Sequence, residues 1–347
     1  MRRLHLLAFS LLILAAPAAA SAAGLTVKLA SLAPDGSVWD LAIEEMGAEW
    51  AEATDGRVRL RVYPGGVAGD ESDVVRKMRI GQLQAAAITV GGLTDIDDAF
   101  RVFAIPMFFD SYEELYYVID RMTPELSKRL EAKGYVLLNW AHAGWIHLFS
   151  TEPVTSLEQL KKTKLFVGAG DDRAVQWWKK NGYRPVPLAT TDILTGLQTG
   201  MIEALPSPPL AALLLQWYKQ APHMLDLGLA PLVGATIVQK RVWQRIDEAD
   251  RESLLAAAAE LGETLEREVP GQDRESVVEM EKRGLKVVRI ADDARLKSFR
   301  TAAAEFAERV RGDRLPPEIL QLAQEARAAY RSEQSSAEAP AAGGAAP

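Results

Sequence analysis

The side chains able to support catalysis are few and widely spaced in this chain. It contains no cysteine, and the histidines after residue 23 are His142, His147 and His223. No two of them stand at the helical spacing that lets a histidine pair bind zinc. Neither a G-x-S-x-G nucleophile elbow nor a phosphate-binding loop ending in Gly-Lys-Ser/Thr occurs. We therefore predict no metal site, no cofactor and no enzymatic activity, and expect a binding protein.

One glycine-rich segment has the form of a dinucleotide-binding turn. Residues 168–173 read Gly-Ala-Gly-Asp-Asp-Arg between a predicted strand and a predicted helix. Arg173 stands where the third glycine of that motif allows helix and strand to pack closely. Asp171 and Asp172 would repel a pyrophosphate at the helix N-terminus. We therefore exclude nucleotide binding.

The N-terminus has the pattern of a secretory signal peptide. Arg2 and Arg3 precede an apolar run at 6–16, and small residues follow with cleavage sites after Ala20 or Ala22. A short membrane anchor is the alternative, but the run is well below the roughly 20 residues that span a bilayer. Residues 1–23 are therefore predicted to be a cleaved signal peptide, which places the mature protein in the periplasm.

The charge and the C-terminal composition limit the rest of the chain. The formal charge of −7 becomes about −9 after loss of Arg2 and Arg3, so nucleic acid is not an expected partner. Residues 332–347 are mostly Ser, Ala, Pro and Gly and are predicted to be a disordered tail.

Alternating strand and helix patterns cover most of the remaining sequence. Residues 25–31 and 57–63 alternate as strands, and the helix between them begins after Ser37 and ends at Asp55-Gly56. Further elements follow, and the predicted set is helices at 71–80, 111–133, 156–162, 172–181, 191–200, 294–311 and 316–331, with strands at 85–90, 135–140, 164–167, 184–187, 233–238 and 284–290. Residues 247–283 are predicted to be one helix kinked at Pro270, or two helices. This order predicts an α/β fold with a mostly parallel sheet.

Two short segments suggest that the halves of the chain are built alike. Residues 80–85 and 199–204 each place Gly, at 81 and 200, at a predicted helix end before a strand. The match is six residues long, so coincidence is the alternative.

Four motifs, in this order, resemble the substrate-binding subunits of TRAP transporters. They are residues 31–37 (SLAPDGS), 56–64 (GRVRLRVYP), 105–109 (IPMFF) and 195–203 (TGLQTGMIE). The resemblance implies a two-lobed periplasmic binding protein fold with a ligand cleft between the lobes and a long hinge-spanning helix. It implies lobe I at 24–143 plus 232–271 and lobe II at 144–231 plus 272–331.

The sequence departs from this family where the family binds a carboxylate. The family arginine of the strand Lys-Ile-Arg-Val corresponds to Phe166, and a second basic position corresponds to Ile146. The asparagine that follows the Gln-Thr-Gly motif corresponds to Ser207. Because a buried carboxylate without a cation costs several kcal/mol, the resemblance with these changes implies a largely apolar or amphipathic ligand, such as a fatty acid.

The predicted ligand-binding residues combine these positions with neighbouring apolar walls and glycines. They are Trp39, Gly91, Gly92, Leu93, Trp140, Trp145, Ile146, Phe166, Thr190, Leu205, Ser207 and Leu210. The implied partners are the TRAP membrane subunits and, for the subgroup that lacks the arginine, a periplasmic tetratricopeptide-repeat protein.

Two alternatives stay open. The chain could be a conventional organic-acid receptor in which Phe166 and Ile146 fill core space and Arg101 or Arg173 supplies the cation. A periplasmic hydrolase or lyase on the same scaffold is the alternative from another class, and recovery of an unchanged ligand would argue against it.

Overall fold

The computed structural model describes residues 24–170 and 172–338. The predicted signal peptide at 1–23 lies outside the described residues. Within them, nine strands form one sheet. The strands are β1 (Leu25–Ser31), β2 (Val58–Tyr63), β3 (Ala85–Thr89), β4 (Tyr135–Ser150), β5 (Lys164–Gly168), β6 (Arg184–Leu188), β7 (Ala204–Ser207), β8 (His223–Gln239) and β9 (Lys286–Val288).

Twelve α-helices in the same residues cover the sheet. They are α1 (Val38–Ala53), α2 (Glu71–Arg79), α3 (Val90–Thr94), α4 (Tyr112–Ala132), α5 (Leu157–Lys162), α6 (Asp172–Lys180), α7 (Ile193–Gln198), α8 (Pro209–Leu214), α9 (Lys240–Trp243), α10 (Glu248–Lys282), α11 (Asp293–Val310) and α12 (Pro317–Glu338). A 3-10 helix spans Asp98–Ala104. Residues 247–283 were predicted to form one kinked helix or two helices. They form the single helix α10, which continues through Pro270. No helix within the described residues combines the length and apolar character needed to span a bilayer.

The first helix illustrates how local sequence and packing agree. The Ser37 hydroxyl accepts a hydrogen bond from the Asp40 N–H at 3.3 Å and so caps α1. Ile43, Met46 and Trp50 follow at helical spacing and are buried against the sheet. The Trp50 indole N–H donates to the Leu254 carbonyl at 3.0 Å, which fixes α1 on α10.

The strand order is β2-β1-β3-β8-β4-β7-β5-β6, with β9 beside β8. We call β2, β1 and β3 the β1 half of the sheet and β7, β5 and β6 the β5 half. Each half is parallel, as predicted, but β3–β8, β8–β4 and β4–β7 pair antiparallel. The prediction of a mostly parallel sheet is therefore wrong at the centre, because β4 and β8 were predicted as short strands and instead run the length of both halves.

The long β4–β8 ribbon is irregular where it passes between the halves. Its register shifts between His142 and Trp145 and again between Ile146 and Leu148. Gly144 lies inside the first shift with φ +106°, in the left-handed region that favours glycine. The ribbon is thus continuous, but its ladder is interrupted where the halves meet.

The two glycines predicted at corresponding helix ends have matching geometry. Gly81 follows α2 with φ +80° and leads to β3, and Gly200 follows α7 with φ +69° and leads to β7. Each strand then pairs antiparallel with a crossing strand, β3 with β8 and β7 with β4. The halves therefore share a helix-glycine-strand unit.

The C-terminal elements differ in two ways from expectation. Helix α12 runs to Glu338, so residues 332–338 of the predicted disordered tail are helical. Ser335 and Ser336 donate hydrogen bonds to carbonyls one turn back, and Glu333 pairs with Arg121 of α4. Ile319 and Leu320 of α12 are buried in the same cluster as α4, which favours placing α12 with the lobe assigned to 24–143. The proposed lobe boundaries otherwise stay a prediction.

Candidate ligand site between the halves of the sheet

A buried carboxylate organises the loop at the C-terminal end of β3. Glu71, at the start of α2, accepts hydrogen bonds from the Thr89 N–H at 2.6 Å, the Thr89 hydroxyl at 2.8 Å and the Gly92 N–H at 2.7 Å. Burial raises the pKa of Glu71, and the three hydrogen bonds oppose that rise. A Cβ at Gly91 would lie 2.8 Å from a Glu71 carboxylate oxygen, so the predicted Gly91-Gly92 pair is needed for this arrangement.

The neighbouring acid connects the two halves. The Thr190 N–H, beyond β6, donates to Asp70 Oδ2 at 3.2 Å. A Cβ at Gly66 would meet the Thr191 methyl at 2.9 Å, and one at Gly170 would meet the Ser72 hydroxyl at 2.9 Å. Thr190, a predicted site residue, therefore lies at an edge where the halves are in contact.

Trp39 Nε1 and Asp70 Oδ1 are among the buried side-chain atoms that have no hydrogen-bond partner within the described residues. Trp39 follows β1 and Asp70 follows β2, so both come after the C-terminal ends of parallel strands. Trp39 is 8% exposed and belongs to the same buried cluster as Leu210, which follows β7. Trp39 and Leu210 thus belong to one apolar cluster, and Trp39 Nε1 and Asp70 Oδ1 are a donor and an acceptor without a partner in the described part of the chain.

The positions where the family carries polar ligand-binding groups are here in packed surroundings. Phe166 is half-buried against the apolar cluster that contains the fully buried Leu205. Ile146 is half-buried beside Ala230 of β8. Ser207 is buried, pairs with His147 in the sheet and donates its hydroxyl to the Pro208 carbonyl at 2.9 Å.

Neither cation considered from the sequence is uncommitted. Arg101 pairs with Asp98 at 2.5 Å. Arg173 donates to the Asp313 carbonyl at 2.7 Å and to its carboxylate at 3.2 Å, and its side chain is largely exposed. Binding a ligand carboxylate through either one would compete with these contacts.

Three other predicted residues belong to the core that contains α4. Leu93 is fully buried there. The Trp140 ring packs on Phe100 and Phe103, and its N–H donates to the Thr123 hydroxyl at 2.8 Å. The Trp145 ring contacts the same cluster. These contacts favour a structural role for Leu93 and Trp140.

A second buried acid lies where the ribbon is irregular. Asp273, in α10 just after Pro270, accepts hydrogen bonds from the Trp145 N–H at 3.0 Å and the Leu210 N–H at 2.9 Å. Burial raises its pKa to about 6, opposed by these bonds and by Arg274. One carboxylate therefore joins α10, β4 and α8.

The histidine beside this acid is a neutral part of the same junction. His142 Nδ1 accepts from the Gly144 N–H at 3.2 Å, so the ring proton resides on Nε2, which lies 2.6 Å from the Tyr116 hydroxyl. Burial lowers the pKa of His142 to about 4. Both ring nitrogens are therefore engaged within the protein, which favours a structural role for His142.

Sequence reasoning missed Glu71, Asp70 and Asp273. Asp70 and Glu71 could have been noticed from their position, since they stand at the start of a predicted helix whose end leads into a predicted strand. Asp273 had only its position after Pro270-Gly271 inside a charged helix, where an acid is usually solvated.

This fold and cleft define a class of two-lobed solute receptors. Residues 29–312 match the family described as bacterial extracellular solute-binding protein, family 7, and the chain belongs to that family. The family consists of receptors, and the resemblance found in the sequence is confirmed at this level.

Relatives of the chain include other solute-binding proteins. A solute-binding protein of Chromohalobacter salexigens is 28% identical over 225 residues, which are 62% of this chain and 65% of that protein, just under two thirds of its length. The sialic acid-binding periplasmic protein of Vibrio cholerae is 20% identical over 289 residues, 83% of this chain and 89% of that protein.

Solved structures confirm the two-lobed α/β fold. A TRAP periplasmic solute-binding protein of Xanthobacter autotrophicus with bound β-D-galacturonate superposes with a TM-score of 0.78 at 21% identity, covering 87% of this chain and 99% of that one. One from Chromohalobacter salexigens with bound D-glucuronate superposes with a TM-score of 0.77 at 23% identity, with the same coverage.

Proposed function

We propose that this protein is the periplasmic receptor of a TRAP-type transporter and that it captures a small organic acid between the halves of its sheet. The observation that carries the choice of ligand is the pair of buried polar atoms without partners, Trp39 Nε1 and Asp70 Oδ1. An unpaired buried polar group costs about 1–3 kcal/mol, so a ligand that forms a hydrogen bond with each of the two atoms gains affinity. An oxygen acceptor for Trp39 and a hydroxyl donor for Asp70 are combined in a hydroxylated acid.

The relatives agree with this class of ligand. The proteins described above are named for sialic acid or contain galacturonate or glucuronate. The first expectation from the sequence, a fatty acid or other lipid-like ligand, has less support, because a fatty acid has a carboxylate acceptor for Trp39 Nε1 but no hydroxyl donor for Asp70 Oδ1. The organic-acid alternative is therefore the better proposal.

The apolar alternative keeps one specific observation in its favour. Phe166 and Ile146 place apolar side chains where the family binds the carboxylate, and both are half-buried. An acid bound here must be held by neutral donors, such as the indole N–H of Trp39, instead of an arginine. We expect weaker binding of simple carboxylates than in receptors that have the arginine.

A ligand panel separates the two classes. Thermal unfolding of the protein is measured with D-glucuronate, D-galacturonate, a dicarboxylate and a medium-chain fatty acid, and hits are confirmed by calorimetry. We expect saturable binding of a hydroxylated acid, reduced at least about tenfold by Trp39→Phe, which keeps a smaller aromatic ring and removes the indole N–H donor. Saturable binding of the fatty acid alone, unchanged in Trp39→Phe, would overturn the proposal in favour of the apolar ligand.

The partners follow from the family. We propose docking on TRAP membrane subunits, tested by co-purification of the receptor with co-expressed TRAP membrane subunits. The further suggestion of a tetratricopeptide-repeat partner rests on Phe166 and Ile146 alone.

A further inference from the structure

A second concave site lies at the end of the β1 half that is remote from the cleft. It is a cavity of about 510 Å³ whose lining includes Leu25 and Lys28 of β1, Gln84 just before β3, Gln239 at the end of β8, and Arg241 of α9. The cleft residues Thr89 and Glu71 lie at the opposite, C-terminal ends of the parallel strands. The cavity is therefore separate from the proposed ligand site.

The guanidinium of Arg241 is held in place by its surroundings. Its Nε donates to Gln239 Oε1 at 3.0 Å, and Gln239 is itself buried and bonded to the Met78 carbonyl. A Cβ at Gly81, which has φ +80°, would overlap the Arg241 guanidinium. Glycine at this position therefore makes room for a fixed cation.

The lining is cationic in an acidic protein. Lys28, Arg241 and Arg245 are among the lining residues, and no acidic residue is. Among the residues that the structure describes, none of the three forms an ion pair, whereas Arg57, Arg129 and many other arginines do. Three unpaired cations around one concavity concentrate positive potential in a chain of net charge −7.

We propose that this cavity binds a multivalent oxyanion, such as a diphosphate or a tricarboxylate. Arg241 presents its remaining N–H groups in a fixed planar fork, which suits phosphate or carboxylate oxygens, and Lys28 and Arg245 add charge. The cavity volume exceeds that of a single tetrahedral ion, which favours a ligand with several anionic groups. The same chemistry is offered by a free anion and by a phospholipid headgroup.

Titration with pyrophosphate at constant ionic strength tests the site. We expect saturable binding by calorimetry, weakened at least about tenfold by Arg241→Gln and by Arg245→Gln, since each removes a charged donor. Arg245 is exposed, so its variant does not depend on packing. Lys297→Gln makes the same charge change on exposed helix α11 and should alter affinity less than about twofold.

A parallel sedimentation assay with phosphatidylglycerol vesicles identifies the source of the anion. Binding of vesicles that is lost in Arg241→Gln supports the site with a lipid headgroup as ligand, and binding of pyrophosphate alone supports it with a free anion. The inference is overturned if neither probe saturates, or if Arg241→Gln and Lys297→Gln have equal effects.

Discussion

The substitution Gly144→Ala, which adds a single methyl group, is the most direct test of the contacts that join the two halves of the sheet. Its φ of +106° is unfavourable for any other residue. A Cβ there would lie 2.6 Å from Asp273 Cγ and closer still to one carboxylate oxygen. Gly144→Ala must therefore move the carboxylate that accepts from the Trp145 and Leu210 N–H groups.

The expected loss of stability is the sum of two effects. The backbone conformation costs about 1–3 kcal/mol for a non-glycine residue. Displacement of Asp273 leaves one or both buried N–H groups unpaired, at about 1–3 kcal/mol each. We expect a loss of about 3 kcal/mol or more, which lowers the melting temperature by about 6 °C or more.

Gly134→Ala is the matched control, and thermal and urea unfolding are the assays. Gly134 also has a positive φ, of +88°, but a Cβ there would have nothing within 4 Å. It should cost at least about 2 kcal/mol less than Gly144→Ala, because only the backbone effect remains. Combining Gly144→Ala with Asp273→Ala should cost less than the sum of the single changes. Equal losses at Gly144 and Gly134, or strict additivity with Asp273→Ala, would refute the reasoning.

Three further predictions concern the buried acids. Because the folded pKa of Asp273 is about 6, above its unfolded value of about 3.9, the free energy of unfolding should fall by up to about 3 kcal/mol as pH rises from 4 to 7. His142, with a folded pKa of about 4, changes stability with pH in the opposite direction. The effect of Asp273 is therefore measured as the difference between wild type and Asp273→Asn in urea unfolding at each pH. Parallel curves of unfolding free energy against pH for the two proteins would contradict the prediction. Glu71→Gln should lower the free energy of unfolding by about 1–3 kcal/mol, because its amide cannot accept every bond from Thr89 and Gly92. Glu113→Gln, at an exposed position of α4, should have no such effect in the same urea unfolding assay. Asp70→Ala removes the hydrogen bond to Thr190 and should enlarge the ligand-free radius of gyration in small-angle scattering. An unchanged radius would show that this bond does not keep the two halves of the sheet in contact.

The sequence predicted the positions of helices and strands better than it predicted which strands pair in the sheet. The periodic apolar positions of α1 and the capping residue Ser37 are local signals, and α1 begins directly after Ser37 as predicted and ends two residues before Asp55. The end of β4 was missed because Gly144 breaks the alternation that marks a strand, although the backbone continues through an irregularity. The antiparallel centre of the sheet depends on partners far apart in sequence, for which local periodicity contains no information.

The candidate site shows the same division between local and non-local information. Gly91-Gly92 and Thr190 could be proposed from the family resemblance. Glu71 could not be distinguished from a solvated helix-start acid, because its burial depends on the loop after β3 folding over it. Phe166 could be interpreted as a ligand contact or as a core residue, and the structure places it, partly buried, against the cluster that contains Leu205.

The pairing of β3 with β8 also constrains how the chain must fold. Ala85 is paired with Val238 and Thr89 with Gly234, so one edge of β3 has no partner until the chain has been made beyond residue 230. An unpaired strand edge in a partly synthesised chain is a template for aggregation. Contacts of such long sequence separation also slow folding. The β1 half therefore cannot complete its pairing before residues 234–238 have been made, and the open edge of β3 must be kept from aggregating until then.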